Sequence, residues 1–163
     1  MLCKIDHYLK ILYRLSGYIA AIFLILVATF ILTGIASRIF GFYIRGLAEY
    51  SGYCMAASSF LALAYTFGEK GHIRITLFLE KANKEVRRFL DLWCLSVATF
   101  FSGFLSFYFI KMLIISIQFG ERSEGADEIY IWIPQVTVAL GSTIFFVCVL
   151  HNFILLILNR NNN

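Results

Sequence analysis

Glu49 stands immediately before a run without a formal charge, Tyr50 to Gly68, and His72 and Arg74 follow the end of that run. These are the side chains whose types and spacing could do chemistry here. A carboxylate at a membrane-length apolar run can hold a proton or a substrate ammonium, and an ionisable residue in a span is a functional candidate by default. It also has a plainer use. Near a helix N-terminus it meets the positive end of the helix dipole, worth roughly 0.3–1 kcal/mol. Arg45, four residues earlier, can pair with it across one helical turn. Glu49 falls at the edge of its span rather than inside it, so it is read as a helix-end or subunit contact. His72 can titrate near neutral pH, but a His and Arg just past a span more often anchor the helix end on headgroup phosphates.

Other chemistry finds little support. Cys3, Cys54, Cys94 and Cys148 form no CxxC pair, and three of them fall in apolar runs, where cysteine behaves as a small apolar residue. A bis-histidine haem site needs two histidines at matched depth, whereas His7, His72 and His151 are scattered. There is no Walker sequence, metal-ligand cluster or nucleophile–base pattern. The expectation is therefore no enzyme activity, no catalytic or metal residue and no cofactor. Ser58, Ser59, Thr99, Ser102, Ser106, Ser142 and Thr143 are the polar residues within apolar runs, and small polar residues there usually mark helix–helix packing.

The elements that must position these residues follow from composition. The 163 residues are 60% hydrophobic and 15% charged, whereas soluble domains carry about 25% charged residues. The charges are clustered, and long apolar runs separate them. That is a multi-pass membrane protein, with no room for a separate soluble domain and no basic groove for nucleic acid. A net charge of +4 then reads as topology.

In chain order, residues 1–14 combine Lys4, Lys10 and Arg14 with Leu2, Ile5, Tyr8, Leu9 and Leu12 at helical spacing, which predicts an amphipathic interfacial helix. Spans are expected at about 15–37, 47–68, 90–111 and 134–158. Leu15 to Ser37 is 23 residues without a charge, longer than a signal-peptide core of about 7–15, so an uncleaved first span is expected. Between the second and third spans, Ile75, Phe78, Leu79, Ala82, Val86 and Leu90 recur at helical spacing beside a charged face, which predicts a second interfacial helix over about 74–89. Lys111 interrupts the third apolar stretch, where its stem can snorkel to the interface. Pro134 sits near the start of the fourth span, where a missing amide hydrogen costs little, and Tyr130 and Trp132 suit an aromatic anchor.

Lysine and arginine set the orientation. Ten lie in the N-terminal segment, the 69–91 segment and the tail, against four in the other two connections. Positive residues favour the cytoplasm. The reading is a single all-α integral membrane domain, 1–163, with four transmembrane helices, amphipathic interfacial helices and both termini cytoplasmic.

Glu49 at the start of the second span, Gly-His-Ile-Arg-Ile at 71–75, and Trp132-Ile-Pro134 with Gly141 at the fourth span together resemble the small membrane subunit (DctQ-like) of tripartite ATP-independent periplasmic (TRAP) transporters. The 23-residue separation of Glu49 and His72 is similar to the family's spacing. Two positions depart from the family's pattern: Phe67-Gly68-Glu69 stands where an arginine is common, and Thr76 where an aspartate is common.

The resemblance implies a bacterial inner-membrane importer of small organic acids, coupled to sodium. Its partners would be a large elevator-type membrane subunit (M-type), a periplasmic binding protein (P-type) and membrane lipids. The small subunit would brace the scaffold of the large one. Arg45, Glu49, His72, Arg74, Trp132 and Pro134 are then candidates for subunit or helix-end contacts. Glu121, Glu124, Asp127 and Glu128 outnumber Arg122 on one connection and are candidates for docking the binding protein, although a merely solvated loop gives the same pattern. A membrane anchor of a redox complex is the alternative. A proton-coupled exporter acting as a homodimer is a third reading and would need Glu49 deep in the bilayer.

Overall fold

The computed structural model describes residues 2–42, 44–70, 84–123 and 128–158. They form four helices: α1 over Leu2–Ile39, α2 over Leu47–Lys70, α3 over Lys84–Phe119 and α4 over Trp132–Leu158. The only extended pairing among the described residues is an isolated bridge between Arg122 and Tyr130. Three stretches are long and apolar enough to cross a membrane: Tyr8–Ile39, Phe89–Phe119 and Trp132–Ile157. The 24 residues of α2 suffice in length, at about 36 Å. Its tyrosines, serines and glycines make it less apolar than the other three.

Two expected boundaries are corrected. Residues 1–14 and 15–37 are not two helices, because α1 runs unbroken from Leu2 to Ile39. No proline falls at the junction, and Ser16 donates its hydroxyl to the Tyr13 carbonyl at 2.8 Å, so its polar group is satisfied inside the helix. Likewise residues 84–89 are the first turns of α3 rather than the end of a separate interfacial helix. Residues 74–83 lie outside the described residues. The helix also passes Lys111 and ends at Phe119, since one lysine has good helix propensity and leaves the backbone ladder intact.

The helices stand in an open row, α1 on α2, α2 on α4 and α4 on α3, with α1 touching α4 lightly. The two edge helices each bury one narrow stripe. On α1 it is Tyr13, Ser16, Ala20, Phe23, Val27, Phe30, Gly34 and Ser37, and on α3 it is Leu92, Leu95, Thr99, Ser102, Ser106, Phe109, Leu113 and Ser116. Both alternate three- and four-residue steps, the repeat of left-handed helix packing. The residues flanking the stripes are mostly exposed and almost all apolar.

Small residues hold the row together. Ala57 and Ala64 of α2 are almost fully buried, as are Ser142, Cys148 and Val149 of α4. Gly141 lets α4 come close to the α2 backbone. A Cβ there would lie 2.9 Å from Phe60 Cβ, 3.0 Å from the Phe60 carbonyl carbon and 3.1 Å from the Leu61 nitrogen. Gly17 lies against the Tyr65 ring and Gly103 against Phe146 in the same manner. Polar contacts cross each interface. Ser58 donates to the Ala20 carbonyl at 3.0 Å, the Cys148 thiol to the Ala64 carbonyl at 3.6 Å, and the Ser106 and Thr143 hydroxyls lie 3.1 Å apart.

Candidate functional site

One end of the row carries both short connections, the α1–α2 turn and the α3–α4 loop, and most of the candidate residues gather there. The two helices that finish at this end stop in the same way. Gly41 has φ +77° and Gly120 has φ +60°. The Gly41 and Phe42 amides reach back to the Arg38 and Ser37 carbonyls at 3.3 and 3.0 Å, and the Gly120 and Glu121 amides to those of Ile117 and Ser116 at 3.4 and 3.2 Å. Both are Schellman ends, which satisfy two orphan carbonyls with one left-handed glycine.

Past Gly41 the chain turns through Arg45 and Gly46, whose φ is +80°. The Gly46 carbonyl accepts the Tyr50 amide at 2.9 Å and so opens α2. Glu49 falls in the first turn, half-buried, where the dipole favours its charge. Arg45 precedes the helix, so the one-turn helical pairing expected from their four-residue spacing does not apply. The side chain of Arg45 is exposed.

The α3–α4 loop is built around Arg122. Its guanidinium lies 4.9 Å from the Tyr130 ring centroid, donates to the Tyr130 hydroxyl at 3.2 Å and faces the Glu128 carboxylate at 3.7 Å. The Ser123 amide donates to the Ile129 carbonyl at 2.7 Å and the Ile131 amide to that of Glu121 at 3.1 Å. Glu121 itself accepts the Ser116 hydroxyl at 2.8 Å. The loop is tied to α2 where the Ser123 and Tyr53 hydroxyls meet at 3.0 Å. Of the four acidic docking candidates, Glu121 and Glu128 are therefore exposed but engaged within the loop, and Glu124 and Asp127 lie outside the described residues. The ion pair is exposed on both sides and contributes at most about 1 kcal/mol.

Trp132 and Pro134 occupy the first turn of α4. The Ile131 carbonyl accepts the Gln135 amide at 3.3 Å and begins the ladder, so the helix opens two residues before the expected 134. Pro134 sits where no amide hydrogen is called for. Trp132 is partly exposed. His72 and Arg74 lie outside the described residues.

The structure thus gathers Arg45, Glu49, Trp132, Pro134, Glu121 and Glu128 at one end without joining them into a single catalytic constellation. Among the described residues no group of three His, Cys, Asp or Glu side chains is placed to hold a metal ion. What reading the sequence missed is the organising part of Arg122. It counted only as the lone base in an acidic loop, and its contacts to Tyr130 and Glu128 depend on a fold-back with no local signature. The serines read as packing marks divide. Ser58, Ser102, Ser106 and Ser142 are buried, whereas Ser59 is exposed and donates back to the Met55 carbonyl.

The family model for tripartite ATP-independent periplasmic transporters, DctQ component, matches residues 27–159. The chain matches no curated protein and no solved structure.

Proposed function

The chain belongs to the DctQ family of TRAP transporters, and from that premise we propose that it is the small permease subunit of a sodium-coupled importer of small organic acids, acting as a brace rather than as an enzyme or a conduit. In this reading all four helices cross the bacterial inner membrane, α2 included, and both termini are cytoplasmic. The turn end then faces the periplasm. The large membrane subunit carries substrate and ions. The small subunit widens its fixed scaffold, so that the moving part slides against something that does not tilt. The α3–α4 loop, with its acidic residues, meets the binding protein.

The observation that carries the reading is how little of each edge helix the chain itself covers. Each spends one stripe inside the chain and offers the rest to lipid or to a partner. On α3 the offered surface is aromatic, with Phe100, Phe101, Phe104 and Phe107 all more than half exposed. Aromatic side chains supply large contact area, which suits a protein interface within the bilayer.

The test is photo-crosslinking within the assembled complex, from reactive residues placed at Ile22 and Ile25 on α1 and at Phe100 and Phe107 on α3. At least one edge should crosslink to the large subunit. A complex that purifies intact with neither edge crosslinked overturns the brace.

A further inference from the structure

The cavity between the last turns of α1 and the first turn of α2 has a mixed lining, apolar along one helix and charged at the helix ends. It measures about 340 Å³, and its walls include Phe30, Ile31, Ile35, Arg38, Gly46 and Glu49. One wall is apolar and runs along α1 toward the middle of the span. The opposite margin carries a guanidinium and a carboxylate at the helix ends. Ile31 and Ile35 are each about half exposed, at 50% and 52%, and their sequence spacing sets them one turn apart below Arg38.

The depth of the site is fixed by its neighbours. α1 is apolar down to Ser37, and the turn beyond it presents the Phe40 and Phe42 rings, stacked 6.4 Å apart and both exposed. Aromatic side chains of this kind sit at the headgroup level. The cavity therefore begins among headgroups and continues among acyl chains. It is too small for a helix, which is about 10–12 Å across, and it lies in the size range of small-molecule sites.

We propose that this cavity seats the headgroup and the first part of one acyl chain of a phospholipid whose zwitterionic headgroup bears a primary ammonium, as in phosphatidylethanolamine, the rest of the lipid lying in the bilayer. The Arg38 guanidinium donates to the phosphate oxygens. The lipid ammonium donates to the Glu49 carboxylate, whose two oxygens accept several hydrogen bonds at once and so need not give up contacts within the chain. Both contacts are charge-assisted and stronger than neutral ones. An acyl chain lies on Phe30, Ile31 and Ile35. A purely anionic lipid such as phosphatidylglycerol would satisfy Arg38 through its phosphate but offer Glu49 no cation, leaving the carboxylate without its charge-assisted partner from the lipid. A lipid held here also fills the space between two helix ends that the protein itself leaves open. The inference needs only that α1 spans the bilayer. The leaflet it assigns, the periplasmic one, rests on the orientation proposed above.

The experiment uses the membrane complex of small and large subunits, purified in detergent and offered either dioleoyl phosphatidylethanolamine or dioleoyl phosphatidylglycerol. Retained lipid is counted by native mass spectrometry. The parent should hold one more phosphatidylethanolamine than an Arg38→Gln complex, whose occupancy should fall about tenfold. Phosphatidylglycerol should be retained about tenfold less than phosphatidylethanolamine in the parent. Ile35→Trp crowds the apolar wall from an exposed position and should lower retention equally, which carries the test if Arg38→Gln fails to assemble. Equal retention in parent and Ile35→Trp, or equal retention of the two lipids, overturns the proposal. So does a photoreactive residue at Ile35 that captures the large subunit and no phospholipid, because the cavity is then a protein contact. Loss of the lipid result with the two subunits still co-purifying leaves the assembly role standing, so the two failures are distinguishable.

Discussion

The first two helices are neighbours in sequence and opposites in construction. α1 is strongly apolar over its whole span and barely buried, with Leu24, Ile25 and Leu32 all more than 60% exposed. α2 is the least apolar of the four and is enclosed on two sides, with Ala57 at 1% and Ala64 at 0% exposure. In water the more hydrophobic helix would be the buried one. In a bilayer the lipid-facing helix needs apolar bulk, and the interior helix needs smallness and hydrogen-bonding groups that let backbones approach. Hydropathy alone therefore ranks α2 last as a span while packing makes it the centre of the row.

The largest test is whether α2 crosses at all. A reporter active only in the cytoplasm should work at Asn163 and near Lys84 and stay silent near Gly41 and Gly125. Activity at both Gly41 and Lys84 would leave α2 on one face of the membrane and end the comparison.

Next in size is the α2–α4 approach. Gly141→Ala forces a Cβ to within about 3 Å of the α2 backbone, and overpacking of this kind costs about 1–3 kcal/mol. The melting temperature of the purified complex should drop, with loss of folded material as the extreme outcome. Gly52→Ala, on α2, meets nothing within 4 Å and should leave stability unchanged or raise it by up to about 1 kcal/mol. Equal effects would mean that helix propensity, not close approach, governs both sites.

Within single helices the contrast sharpens further. Ala57→Leu on α2 should destabilise by about 1–3 kcal/mol. Ile25→Ala on α1 should leave the isolated subunit within about 0.5 kcal/mol of the parent. A larger penalty for Ile25→Ala that appears only when the large subunit is present would mark that face of α1 as covered. The Ser106–Thr143 pair is smaller again. A double-mutant cycle with alanine should return about 0.6 kcal/mol of coupling, the average for such bonds between membrane helices.

A comparably small effect is expected of Glu49→Gln. A first-turn carboxylate contributes roughly 0.3–1 kcal/mol through the helix dipole. Complex yield or melting temperature should decline modestly while the coupling of uptake to sodium is unchanged. Loss of coupling in a fully assembled complex would make Glu49 a transport residue.

Much of this molecule was legible where local chemistry decides. Pro134 fell in the first turn of its helix and Glu49 in the first turn of α2. Four of the span serines fell at interfaces. The α1 seam was not legible, because a helix apolar on every side gives no moment to point with. Tyr13, Ser16, Ala20 and Gly34 stand out only once α2 is beside them. Gly141 was noticed through a family likeness, yet its mechanical reason, a backbone three ångströms away, exists only in the packed pair. The helices run on through both expected junctions for one reason. Charge clusters near residues 14 and 89 suggest a helix end, but charge changes what a helix faces without breaking its ladder. Arg45 stands just outside α2, which begins at Leu47, so its four-residue spacing from Glu49 is not a spacing within one helix.

The open row has a mechanical consequence. Four helices side by side at about 8–10 Å intervals reach at most about 24–30 Å between the outermost axes, more than the same helices in a closed square. A membrane body resists rocking through the leverage of its widest dimension, because lipid at the far edge must be displaced furthest when it tips. Under the proposed bracing role, such a row would work as an outrigger. Its resistance to tipping would come from width, and aromatic residues such as Phe40 and Phe42 at the end of α1 are of the kind that hold a helix end at the headgroup level.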